Sequence, residues 1–145
     1  FVSTRSQASI GLPTDATVLD ANTVVLSDIS GIYVFDVTSG EPVLSSTLSL
    51  TYRVSLAAGP VGSLLALDAA RIAQHDLGSV TATSTLEFGG GERLRPFNDL
   101  YVAALGTNGI LILSASPTGL TKLGGYYRSW IKDRLGIVKF VEGRH

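Results

Sequence analysis

A single period runs through most of this 145-residue chain and limits what it can fold into. The apolar stretch Thr23-Val-Val-Leu-Ser-Asp28 returns as Ser63-Leu-Leu-Ala-Leu-Asp68, as Leu100-Tyr-Val-Ala-Ala-Leu105 and as Gly136-Ile-Val-Lys-Phe-Val141. With Val25, Leu65, Val102 and Val138 as markers, the spacings are 40, 37 and 36 residues. A second series, Ile32, Ile72 and Ile110, repeats at 40 and 38. A third, Ser46-Thr47-Leu48 and Ser84-Thr85-Leu86, repeats at 38, with Thr121-Lys122-Leu123 as a looser third copy. Three series agreeing on one period mark a structural repeat whose units bury their apolar faces against one another.

Each period divides into four short strands separated by turn residues. The first unit (16–50) reads Ala16–Leu19, Thr23–Ser27, Gly31–Val37 and Pro42–Leu50. The second (53–88) reads Arg53–Ala58, Ser63–Leu67, Arg71–Leu77 and Val80–Phe88. The third (92–127) reads Glu92–Arg95, Leu100–Leu105, Gly109–Ser114 and Leu120–Tyr127, with a turn expected at Pro96-Phe-Asn-Asp99. A partial fourth (128–145) opens with Arg128–Lys132 and pairs back through Gly136–Val141. Composition agrees: Ser and Thr supply 29 residues and Val and Ile 21, and β-branched side chains suit a pleated surface.

Four-stranded antiparallel units of about 40 residues, repeated radially, predict an all-β fold: a β-propeller segment of about three and a half blades, incomplete as a closed ring, with residues 1–145 as one domain. The second strand of each unit is nearly all apolar, as an inner strand packed on both faces should be. The fourth alternates, as in Val43-Leu-Ser-Ser-Thr-Leu-Ser-Leu50, which suits an outer strand with one face in solvent. A β-sandwich is the competing all-β architecture, but it needs no 38-residue self-similarity.

Gly31-Ile-Tyr-Val-Phe-Asp-Val-Thr-Ser-Gly-Glu-Pro42 and Asn108-Gly-Ile-Leu-Ile-Leu-Ser-Ala-Ser-Pro-Thr-Gly119 resemble the strand motif of LVIVD-type β-propeller repeats. The resemblance covers roughly residues 17–141 and implies a secreted or cell-surface protein. The second unit departs from the motif, since Arg71-Ile-Ala-Gln-His-Asp76 carries polar residues where the motif is aliphatic. Asp36-Val-Thr-Ser-Gly-Glu41 is also similar to quinoprotein-type repeats, without their Trp-containing docking pattern, so quinone binding is not implied. The Gly-His and Trp-Asp dipeptides of WD40 repeats are absent as well.

Charge and composition narrow the partners. The formal net charge of −1 gives no electrostatic reason to expect nucleic acid. No apolar run approaches the roughly 18 residues of a membrane span. The absence of Cys excludes thiolate catalysis and cysteine-ligated metal centres. A chain that opens on Phe1 and contains no Met is expected to be a processed product, a domain of a longer chain, or the ordered part of one.

Several motifs invite chemistry and lack its requirements. His75 and Asp76 are adjacent on a strand, point to opposite faces and cannot form a relay, so His75 is expected to be structural or exposed. A metal site from His75 and His145 would have to span two blades. Gly89-Gly-Gly91 followed by Glu92-Arg93 has no Gly-Lys-Ser/Thr ending and opens no helix, and it reads as a link between units. Ser129-Trp-Ile-Lys132 matches a Ser-x-x-Lys spacing, but on a strand the two residues face opposite ways. Asp28, Asp36 and Asp68 stand where carboxylates accept turn amides. No catalytic residue, metal ligand or cofactor is expected.

Tyr126, Tyr127, Arg128 and Trp130 form the strongest binding candidate, because Tyr, Trp and Arg dominate interface hot spots. The alternative for this cluster is packing between the third and fourth blades. The expected function is therefore a non-enzymatic scaffold or recognition segment for protein assembly, extracellular or at the cell surface. Its expected partners are other propeller blades, from the same precursor, another chain or a second copy. The rival is part of a propeller hydrolase or redox enzyme with its site in the central channel. A lectin-like propeller would repeat an aromatic residue in each unit, yet Tyr33, Ala73 and Leu111 occupy the equivalent places.

Overall fold

The structure, a computed structural model, describes residues 11–49, 55–77, 82–87, 90–105 and 109–127. They form three four-stranded antiparallel sheets, each drawn from one repeat in chain order. The first blade holds β1 (Asp15–Asp20), β2 (Thr23–Ser27), β3 (Gly31–Asp36) and β4 (Val43–Ser49). The second holds β5 (Ser55–Ala58), β6 (Leu64–Leu67), β7 (Arg71–His75) and β8 (Ala82–Glu87). The third holds β9 (Arg93–Phe97), β10 (Leu100–Ala104), β11 (Gly109–Ser116) and β12 (Gly119–Tyr127). Val25, Leu65 and Val102 lie on the second strands of three separate sheets, as the period requires. Val138 and the expected fourth unit lie outside the described residues. The sheets form an unclosed β-propeller segment.

The apolar second strand lies inside each sheet, as expected, and the first strand lies nearer the axis. β1, β5 and β9 pack against one another from blade to blade, so the first strand of each unit is innermost and the apolar second strand is one place out. The cause of the apolar run is burial on both faces, which blades stacked on either side supply without the strand being nearest the axis. Only the middle blade shows such burial throughout: Leu64, Leu65, Ala66 and Leu67 are all buried. In the end blades the face turned away from the middle blade leaves Val24, Leu26 and Val102 half buried.

Two apolar seams join the blades. Between the first and second, Val25, Ile32, Val34 and Leu48 meet Leu56, Leu64 and Ala66. Between the second and third, Leu65, Leu67 and Ile72 meet Leu94, Leu105, Leu111 and Leu113. Alternation along β6 divides the blade between the two, with Leu64 and Ala66 serving one seam and Leu65 and Leu67 the other. The outer strand β8 alternates as expected, with every second residue half buried. Strand β12 does not, its leucines Leu120 and Leu123 standing three apart. The two strands also pack together. There Leu120 N–H donates to Ser84 Oγ at 3.1 Å, and a Cβ at Gly119, whose φ is +151°, would stand 3.1 Å from that oxygen.

Two expected turns are shorter than the sequence suggests. Pro96 and Phe97 belong to β9, leaving Asn98-Asp99 as a two-residue turn with Asn98 at φ 56°. Proline fits there because β9 is an edge strand, and the missing N–H would face away from the ladder. Likewise Pro117-Thr118 alone turns β11 into β12.

Leu65 is fully buried in the seam between the second and third blades. Leu65→Ala is expected to destabilise the chain by about 2–5 kcal/mol in urea unfolding. A loss well under ~1 kcal/mol would remove Leu65 from the core.

Candidate functional site

An innermost strand pairs on one side only, so its other side presents unpaired amides. This chain satisfies them from the preceding blade. Asp15 Oδ2 accepts Leu56 N–H at 2.8 Å and Ser55 Oγ at 3.1 Å. Ser55 Oγ accepts Leu94 N–H at 3.0 Å in turn. The pairings Asp15 with Ser27 and Ser55 with Leu67 show that Asp15 and Ser55 hold the same place in successive blades. Arg95 Nη1 reaches Leu94 O at 2.8 Å and lies 3.9 Å from Asp15 Oδ2, linking the three inner strands. Tyr101 adds a fourth tie by donating its hydroxyl to Ala58 O at 2.7 Å.

The hairpins between second and third strands carry the recurring acids. Asp28 Oδ1 accepts the amides of Ser30 and Gly31, and Oδ2 accepts Gly11 N–H at 2.8 Å. The Tyr33 hydroxyl donates to the same carboxylate at 3.2 Å. The Gly11 amide above all, then those of Ser30 and Gly31, hold Asp28 below the usual carboxylate range against the opposing effect of burial. Burial, aided by Asp28, pushes the Tyr33 hydroxyl up. Asp68 repeats the turn with Ala70 and Arg71, while the buried Leu105 stands in the third blade. Asp36 caps its own turn through the hydroxyl and amide of Thr38 and is likewise held down. These carboxylates are engaged by turns, as their positions at strand ends lead one to expect.

The binding cluster divides. Tyr126 is 60% exposed on β12, opposite Ile110, which is 40% exposed, on the face turned away from the second blade. The side chain of Tyr127, together with Arg128, Ser129, Trp130 and Lys132, lies outside the described residues. On the first blade the corresponding outward face exposes Val18 at 63%. Gly90 and Gly91 donate to Ala69 O, tying the link between units onto the Asp68 hairpin.

His75 and Asp76 point to opposite sides, as strand geometry demands. His75 lines a cavity with Ala66 and Ala73, whereas Asp76 lines a cleft with Gln74 and Pro117. His75 is buried, and burial together with the Arg71 charge lowers its affinity for a proton. The cleft, about 290 Å³, lies between the Pro60-Val61 turn and the Pro117 turn. Val61 sits at φ 52°, a left-handed conformation that a β-branched residue rarely adopts. Gln74 Nε2 donates to Ser116 O at 2.9 Å, which fixes the amide's orientation and leaves Oε1 buried without a partner among the described residues. No short motif foretold the inner-strand ties or this cleft, because each joins residues from different repeats.

No protein-family profile matches the sequence, and no curated protein does. Solved β-propeller structures do. Hsv2 of Kluyveromyces lactis superposes with a TM-score of 0.55 at 10% identity, covering 79% of this chain and 37% of that one. Hsv2 of K. marxianus gives 0.53 at 11% identity over the same shares. The N-terminal domain of Nup159 gives 0.53 at 14% identity, covering 80% of this chain and 31% of that one. Likeness at this identity shows the fold alone, and the chain spans 31–37% of the length of these propellers.

Ser55→Ala removes the acceptor for Leu94 N–H and is expected to cost about 1–3 kcal/mol by thermal or urea unfolding, the cost of leaving a buried donor unpaired. Asp28 and Asp36 have depressed proton affinities when folded, so their stabilisation is present above the ordinary value of 3.8 and is lost as pH falls below it. Asp28→Asn should flatten the acid limb of the stability profile. An unchanged limb would show that the carboxylate is not held by those amides.

Proposed function

We propose that this chain is a non-enzymatic β-propeller segment that acts as a scaffold and protein-recognition module. It completes its ring with blades from the same precursor, another chain or a second copy. The observation that carries this reading is the pair of outward faces on the end blades. Val18 on one, and Ile110 and Tyr126 on the other, are exposed apolar side chains, whereas their counterparts in the middle blade are buried at Ile72 and half buried at Ala58 and Leu86. Exposed faces of that kind recruit a partner surface. The proposed setting is extracellular or at the cell surface, on the resemblance of the repeats to LVIVD-type propellers. The cluster at Tyr126, Tyr127, Arg128 and Trp130 would then belong to the contact with the next blade. Against a channel-sited enzyme stands the use of Asp15, Asp28 and Asp68 as acceptors for backbone amides.

Light scattering on the 145-residue chain is expected to find assemblies larger than its 15.2 kDa. Ile110→Asp with Tyr126→Asp should shift them toward the monomer. A thermally stable 15.2 kDa monomer of the unsubstituted chain would contradict the proposal.

A further inference from the structure

The second blade breaks the repeat at two neighbouring positions on the face toward the first blade. Register sets Phe35, His75 and Leu113 in one equivalent place, opposite Val24, Leu64 and Tyr101. It sets Tyr33, Ala73 and Leu111 in another, opposite Leu26, Ala66 and Ala103. Where the other blades carry Tyr with Phe, or Leu with Leu, this one carries Ala with His. The result is a cavity of about 140 Å³.

Its walls fix what it can hold. Ala66, Ala73, Ala82 and Thr85 present mostly methyl groups. Arg71 and Asp68, 3.7 Å apart, offset each other's charge at the margin, where Arg71 is half exposed and the cavity reaches the surface. His75 is only 6% exposed, and neither ring nitrogen has a hydrogen-bond partner among the described residues. Burial and Arg71 favour the neutral imidazole, which offers one N–H donor and one bare nitrogen acceptor. A buried polar group needs partners, and the two other blades show that this position accepts an apolar side chain instead.

We propose that the His75 cavity binds a small uncharged ring compound bearing one hydroxyl or ring N–H, a ligand of the phenol class. Its polar group exchanges a hydrogen bond with His75, and its ring lies among the alanine methyls. An apolar cavity of about 150 Å³ accepts benzene, so the space suits a single ring. A carboxylate would meet Asp68 with no unopposed cation to receive it.

The test is a titration of the full chain with phenol, read on the ring nitrogens of His75 by long-range ¹⁵N–¹H correlation, with benzoate as the charged comparator. The expected result is a saturable shift with phenol, and roughly tenfold weaker binding of benzoate. His75→Leu combined with Ala73→Leu installs the third blade's residues and should abolish phenol binding while raising the melting temperature. If that variant does not fold, the shift in the unsubstituted chain still decides. No saturable shift, or binding that survives in a folded double variant, overturns the proposal and leaves His75 satisfied by water only.

Discussion

A sheet with apolar side chains on both faces has two surfaces to hide, and one neighbour can cover only one of them. That requirement governs everything else in this chain. It is met for the middle blade, where Leu64 and Ala66 serve one seam while Leu65 and Leu67 serve the other. In the end blades it is met fully only toward the middle blade. Val25, on that face, is fully buried, whereas Val102, at the same place in its repeat but on the outward face, is half buried. The first blade's outward face exposes Val18 while burying Tyr33 and Phe35. Radial stacking also creates a second problem, because each innermost strand has an edge without a ladder partner.

Asp15 and Ser55 answer that second problem with the same device. A side-chain oxygen at the start of one inner strand accepts the next strand's amide, Leu56 in one case and Leu94 in the other. Arg93 pairs with Ala104 and so occupies the corresponding place in the third blade. A guanidinium donates and cannot accept. The tie used twice is therefore not available to a strand packing beyond β9, and a blade on that side needs an acceptor of its own. The inner edges of the described blades thus differ in chemistry: Asp15 and Ser55 offer an acceptor where β9 carries Arg93.

The period was legible because burial on two faces imposes an apolar run at a fixed place in every unit, and Val25, Leu65 and Val102 report it directly. The same signal could not say whether that strand is first or second from the axis, since both faces are covered either way. Pro96 suggested a turn because proline rarely sits in a ladder, and only the edge position of β9 makes it admissible. The acids at strand ends were readable from local turn chemistry. The inner-strand ties were not, because Asp15 and Leu56, or Ser55 and Leu94, lie about one repeat apart and carry no local motif. His75 was visible as a departure from the repeat. Its burial and the cavity beside it depend on Ala66, Ala73 and Ala82, which look ordinary in sequence.

The central claim is that successive repeats stack radially through their first strands, each closing the next one's open edge. Amide hydrogen exchange at Leu56 and Leu94 tests it most directly, because neither amide has a partner within its own sheet. The account predicts protection comparable to that of ladder amides in β6 and β10, with Ser55→Ala releasing Leu94 while Leu56 remains protected through Asp15. Exchange at both positions as fast as in an open edge strand would contradict it.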